Sequence, residues 1–276
     1  MEPTKEQIEE LKLVEIEILR EFLRICDHLN LRYYLLGGTL LGAVRHQGFI
    51  PWDDDIDVGM PRMDFEIFLE KAPKMLPEHL FLQSIWSDPG YLPCFAKIRN
   101  NNTTFIETTS AHHKINHGVF IDIFPLDFYP EDKKEQKKFD RKKLLLTHRI
   151  QQGYNAPFPG NAKLLILSVA SRLRHPSLKK AVIKKEDLYK STTQSALWGN
   201  YGGAWGKKEI VPADWYGEGT EVIFEGMKVM APVQYDKWLT QVYGDYMQLP
   251  PEEKRVGHHY VDIIDLHKSY KEYMEK

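Results

Sequence analysis

Cysteine is nearly missing from this sequence. Only Cys26 and Cys94 occur in 276 residues, far apart and without CxxC or Cys/His spacing. That argues against a disulfide framework and a structural zinc site, and it fits a reducing compartment, so a cytoplasmic location is expected. Long apolar runs are missing as well. No uninterrupted stretch approaches the ~20 residues needed to span a bilayer, and the N-terminus is acidic and periodic, not basic with an apolar segment behind it. Neither export nor a membrane span is expected. Net charge is small, formally −2, but it hides an asymmetry: residues 53–57 are acidic and residues 131–190 are rich in Lys and Arg. No internal repeat stands out. What the chain does have is core material, 42% hydrophobic and 12% aromatic residues, enough for one large domain or two small ones.

Apolar residues at Ile8, Leu11, Ile18, Phe22, Ile25 and Leu29 predict a helix of about 25 residues opened by Pro3 or Thr4. Leu31–Leu36 reads as a strand running into Gly37-Gly38, and Thr39–Arg45 as a short helix. Asp55–Met60 alternates acidic and apolar residues, which is strand periodicity, and Pro61 next to Arg62–Leu69 marks a further helix. Val119–Phe124 is a second acidic strand, and Phe81–Arg99 supplies one or two more. Residues 131–143 and the acid-free 161–185 look like a basic helical insertion. Residues 198–235, rich in Gly and aromatics, read as loop and hairpin, and 236–248 as a terminal helix. The domain reading is a catalytic core over 1–130, an insertion over 131–190, and a C-terminal segment, 191–276, that completes the core.

The stretch PWDDDID, residues 51–57, sets the chemistry. In a strand, residues i and i+2 face the same way, so Asp55 and Asp57 project together while Ile56 and Val58 point inward. Two aligned carboxylates repel unless a positive charge lies between them, and a hard divalent cation, Mg²⁺ or Mn²⁺, is the natural occupant. Asp122, on the apolar strand VFIDIF, needs a partner of its own. Sharing that cation would also place it near a reacting hydroxyl as a general base. The Gly37-Gly38-Thr39 turn opens a helix and lets backbone N–H groups approach a phosphate. Arg45 with its neighbour His46, together with Lys97 and Arg99, are candidates to bind substrate phosphate. The combination reads as metal-assisted phosphoryl transfer. A DDD run alone is most often a solvated loop, and a Gly-Gly turn alone is ordinary punctuation.

GGTLLGAVRHQGFIPWDDDIDV closely resembles the signature of the LicD-like phosphocholine transferases, a family that includes the fukutin-related proteins. The resemblance runs over Tyr33–Met60, continues through FAKIR at Phe95–Arg99 and GVFIDIFPLD at Gly118–Asp127, and returns at GHHYVDI, Gly257–Ile263. It implies a mixed α/β, polymerase-beta-type nucleotidyltransferase core with a helical insertion, transferring a phospho-alcohol from a CDP-linked donor to a glycan hydroxyl. Asp55 and Asp57 would be the metal pair, Asp122 the third carboxylate, Gly37-Gly38-Thr39 the phosphate turn, and His258 and His259 a recurring C-terminal pair. The zinc-binding cysteines of animal members have no counterpart here, so the bacterial type is expected, without zinc. The implied donor is CDP-choline. The implied acceptor is a glycan or lipid-linked teichoic acid precursor.

Several readings stay open. A nucleotidyltransferase that leaves a nucleotide on its acceptor would use the same constellation, and an inactive glycan- or nucleotide-binding scaffold is the reading from another class. Trp198, Tyr201, Trp205, Trp215 and Tyr216 are either loop anchors or a cage for a quaternary ammonium. His112, His113 and His117 read as surface loop. The basic insertion either lies on an anionic membrane surface or covers the core as a solvated helix. Nucleic acid is not expected, because no recognised module accompanies the charge.

Overall fold

The structure, a computed structural model, describes residues 3–154, 162–255, 257 and 260–274. Helix α1, Lys5–Leu29, starts at Thr4, whose hydroxyl accepts from the Gln7 N–H while the Gln7 side chain accepts from the Thr4 N–H. This reciprocal cap satisfies two of the donors that every helix start leaves open. Strand β1, Tyr34–Leu35, is shorter than the expected Leu31–Leu36: it lies at the sheet edge, paired only with the next strand, and Leu36 already caps the helix behind it. That helix, α2, spans Gly37–His46, so the Gly-Gly pair forms its first turn. Next come β2, Asp57–Pro61, and α3, Arg62–Lys71. The ladder thus begins at Asp57, and Asp53–Asp55 precede it as loop, where strand was expected from Asp55.

Four strands follow: β3, Leu80–Gln83; β4, Ala96–Asn100; β5, Thr104–Glu107; and β6, Val119–Phe128. Three helices come after them: α4, Lys133–Gln151; α5, Ala162–Arg174; and α6, Leu178–Tyr189. The chain then returns to the sheet with β7, Leu197–Asn200, and β8, Ile210–Pro212. A hairpin of β9, Thr220–Phe224, and β10, Met227–Ala231, leads to α7, Tyr235–Tyr243, and to β11, Val261–Asp265, which pairs with β5. Helix α7 stops short of the expected residue 248 because Gly244 takes φ +77°, a conformation that ends a helix at little cost only for glycine.

The seven-stranded sheet runs β1-β2-β6-β4-β3, with β7 beside the far half of β6 and β8 beside β7. It is mixed: β2 and β6 are parallel, and the other pairs are antiparallel. Strand β6 is its axis, flanked by β2 and β4 around Asp122, then by β7 from Leu126 onward. Helix α1 buries Leu11, Ile18, Leu19, Phe22 and Ile25 in the main core that covers the sheet. A second cluster, centred on Tyr129, Phe139, Leu146 and Tyr189, joins α4 and α6 to it. Between the two lies a buried ionic knot. Arg62 donates Nε and Nη2 to the two Asp127 oxygens at 2.7 and 2.6 Å, and Nη1 to Glu186 on α6 at 2.6 Å.

Candidate active site

Registration across the sheet sets one row of side chains. Asp57 on β2 faces Asp122 on β6, and Asp122 faces Lys97 on β4. Registered neighbours project from the same face of a sheet, so the three form a line. The Lys97 Nζ lies 3.0 Å from Asp122 Oδ1, and the Thr39 hydroxyl accepts from the Asp57 N–H at 2.8 Å. Thr39 is buried; its hydroxyl ties α2 to β2 at the point where the acidic strand begins.

A cavity of about 920 Å³ opens beside this row. One wall carries Gly37, Gly38, Asp53, Asp55 and Asp57; the facing wall carries Asn200, Trp205, Glu209, Tyr243 and Tyr246, and Trp52 and Arg255 also line it. The glycine pair is required by the acids themselves. A Cβ on Gly37, whose φ is +53°, would sit 2.9 Å from Asp57 Oδ2, and a Cβ on Gly38 would collide with Asp53 Oδ2. The carboxylates are therefore packed directly against the first turn of α2, at the positive end of its dipole.

The electrostatics are strained in one direction. Burial, then repulsion from Asp55, Asp122 and Asp53, holds the Asp57 carboxyl well above the usual carboxylate range. Burial and the charges of Asp55, Asp54 and Asp53 do the same to Glu15, which stands within the apolar stripe of α1. Asp53, Asp54 and Asp55 each bring a carboxylate oxygen to within 4.8 Å of the others. An all-oxygen cluster that raises the proton affinity of the carboxyls beside it has the donor chemistry of a hard divalent cation such as Mg²⁺ or Mn²⁺. Asp55 belongs to this cluster together with Asp53 and Asp54, which strand alternation had not singled out, and Asp57 and Asp122 are not among its members. Among the described residues no His or Cys joins such a cluster.

This acid-lined cavity has relatives. Residues 30–158 match the family model described as LicD/FKTN/FKRP, nucleotidyltransferase domain. The chain is 31% identical over 260 residues, 91% of its own length and 96% of the relative's, to the lipopolysaccharide cholinephosphotransferase LicD of Haemophilus influenzae. The chain belongs to the LicD family. An uncharacterized protein of Rickettsia prowazekii shares 36% identity over 103 residues, 37% of this chain and 35% of that protein. The ribitol 5-phosphate transferase FKRP of Homo sapiens shares 46% over 44 residues, 16% of this chain and 9% of that protein.

The other residues singled out in this LicD family sequence fall into separate places. Arg45 lines the cavity and donates Nη1 to the Tyr246 carbonyl at 2.7 Å, while its Nε lies 3.0 Å from the ring of exposed His46. Lys97 and Arg99 are buried away from the cavity lining. Arg99 donates to Gln83 at 2.5 Å and to the Gly118 carbonyl at 2.7 Å, and both cations lie over the Phe120 ring. Asp122 stands one strand behind Asp57, also outside the lining. His258 and His259 lie outside the described residues, although Gly257 packs on Asp54, with its Cβ direction 3.2 Å from Oδ2. The proposed aromatic cage is dispersed: Trp198 and Tyr216 meet at a tilt in the main core, Tyr201 packs in the second cluster, and only Trp205 of the five reaches the cavity. Its aromatic neighbour there is Tyr243, edge-on with centroids 4.9 Å apart. His117 is fully buried, its ring bonded to the His113 carbonyl, so the surface-loop reading of that histidine is corrected.

Sequence reasoning missed Glu209, Asn200, Tyr243 and Arg255. None sits in a spaced pattern. They meet only because β7, α7 and the segment before β11 come together at the cavity that Asp53, Asp55 and Asp57 line. A Pro-Pro pair followed by EEKR next to GHHY was the one available signal for Arg255.

Proposed function

We propose that this chain transfers phosphocholine from CDP-choline to a hydroxyl of a cell-surface glycan or teichoic acid precursor, with GalNAc as the acceptor sugar, and releases CMP. The observation that carries this reading is the meeting of Asp55, Asp57 and the first turn of α2 on one wall of a cavity large enough for a nucleoside diphosphate. The name of the Haemophilus relative, a lipopolysaccharide cholinephosphotransferase, supports the transferred group and the glycan class. A polymerase-beta-type nucleotidyltransferase core is part of the proposal, as is a cytoplasmic location.

Mg²⁺ or Mn²⁺ held by Asp55 and Asp57, with Asp122 behind them, would neutralise charge on the donor's diphosphate. The backbone of Gly37 and Gly38, at a helix start, favours the same anion, and Arg45 and Arg255 bring positive charge to the cavity lining. Asp122, outside the cavity lining and 3.0 Å from Lys97, backs Asp57 electrostatically, and the general-base role expected of it from the sequence is not part of the proposal. Transfer of a nucleotide, with phosphocholine as leaving group, would use the same walls. The two differ in which phosphorus faces the acceptor.

The deciding experiment offers CDP-choline, CDP-ribitol and CDP-glycerol with a GalNAc-containing acceptor and reads products by mass spectrometry. The expected result is acceptor gaining phosphocholine with CMP released in equal amount, lost in EDTA and nearly lost in folded Asp57→Asn and Asp122→Asn variants. Acceptor carrying CMP, full turnover in EDTA, or wild-type rates for Asp57→Asn would overturn the reading.

A further inference from the structure

Helix α5 is built inside out. At about 100° per residue, Leu165, Ile166, Val169 and Leu173 fall within about 100° of arc, and all four are exposed, Ile166 at 69% and Leu173 at 79%. The buried residues among the described side chains of the helix are polar, with Leu167 half-buried beside them. Ser168 and Ser171 are covered, and Gln152 donates to the Ser168 carbonyl at 3.1 Å and to the Ser171 hydroxyl at 3.2 Å. Behind α5, buried Arg149 on α4 donates to the His175 and Pro176 carbonyls at 2.8 and 3.0 Å, which fixes the turn into α6. The helix is thus held to the body through polar bonds while its apolar stripe faces outward, the reverse of a surface helix in a water-soluble domain.

Charge identifies what covers it. From residue 141 to residue 185 the sequence contains eleven Lys and Arg and no Asp or Glu. Arg172 and Arg174 on α5, Lys179, Lys180 and Lys184 at and along α6, and Arg141 and Lys142 on α4 are exposed. A second copy of this chain seated on the stripe would bring cations against cations, because a two-fold interface pairs a patch with itself. Nucleic acid would place phosphates over Ile166 and Leu173. An anionic bilayer satisfies both features, taking the apolar stripe at the boundary of headgroups and acyl chains and the cations at lipid phosphates. No described helix is long and apolar enough to cross a membrane.

We infer that the α5 face docks this protein peripherally on an anionic membrane surface. The inference goes beyond the catalytic reading and does not depend on it. Co-sedimentation of the full chain with vesicles tests it, using phosphatidylcholine alone or with about one-third phosphatidylglycerol. Partitioning should be on the order of tenfold stronger on the anionic vesicles and should weaken as salt rises. Ile166→Asp with Leu173→Asp should abolish binding without lowering the melting temperature, and Arg172→Gln with Arg174→Gln and Lys179→Gln should remove the anionic preference. Equal partitioning on both vesicles, or undiminished binding by the Asp double variant, would overturn it. So would a dimer in light scattering that Leu173→Asp dissociates while vesicles bind nothing.

Discussion

Glu209 accepts from the Trp205 N–H at 2.9 Å and from Asn200 Nδ2 at 2.8 Å, yet burial outweighs both bonds and pushes its carboxyl up to about 7 from 4.5. The sign follows from linkage. The folded protein binds this proton more tightly than the unfolded chain does, so the stabilisation is complete below pH 4.5 and is lost as pH rises through about 7. Its size is at most about 3 kcal/mol. Wild type compared with Glu209→Gln by denaturant unfolding should therefore lose relative stability between about pH 5 and pH 8. Parallel pH dependences in the two proteins would show that Glu209 does not titrate in this window. The same scale accounts for the glycine pair: Gly37 and Gly38 were read as a phosphate turn, and they also make room for the Asp57 and Asp53 carboxylates.

Among the elements, α6 is tied to the sheet through one guanidinium, although Lys190 also reaches Glu186 at 3.3 Å. Arg62 opens α3, and it joins Asp127 at the end of β6 to Glu186 on α6, with all three side chains largely out of water. Removing one partner from a buried ionic set leaves the others desolvated and unmatched, at a cost of about 3–5 kcal/mol, whereas replacing the whole set by apolar residues is often near neutral. Arg62→Met alone should lower unfolding free energy by that amount and expose residues 133–189 to limited proteolysis before the sheet. Adding Asp127→Leu and Glu186→Leu should recover most of the loss. If the triple variant is as unstable as the single one, the knot acts through its geometry and not through unpaired charge.

At the scale of the whole molecule, the acid cluster couples folding to cation concentration. Asp53, Asp55 and Asp57 are held together against their own repulsion, so an ion that binds only the folded state raises stability with its concentration. At about a hundred times its dissociation constant the gain is about 2.7 kcal/mol, or several degrees of melting temperature for a chain of this size. Mg²⁺ or Mn²⁺ should raise the melting temperature of wild type and not of Asp57→Asn. An equal response in both, or none in wild type, would remove the cation from this site.

What the sequence determined by itself is local. The stripe of α1, the alternation around Val58, the apolar run of β6 and the acid-free insertion are repeats of period 3.6 or 2, or plain composition, and they are visible without a neighbour. They made a mixed α/β fold and the importance of the Gly-Gly and Asp-rich stretches readable. The tertiary structure decided which strands lie side by side. Parallel pairing of β2 with β6 put Asp57 opposite Asp122, and antiparallel pairing of β4 with β6 gave Asp122 a lysine. It also sent Arg99 into the interior and brought Glu209, Tyr243 and Arg255 to a cavity whose other wall lies some two hundred residues earlier in the chain. Strand register and chain closure depend on packing between distant segments, and no spacing within one segment encodes them. The same holds for α5: its apolar stripe can be read from the sequence, but only its docking on α4 shows that the stripe faces outward.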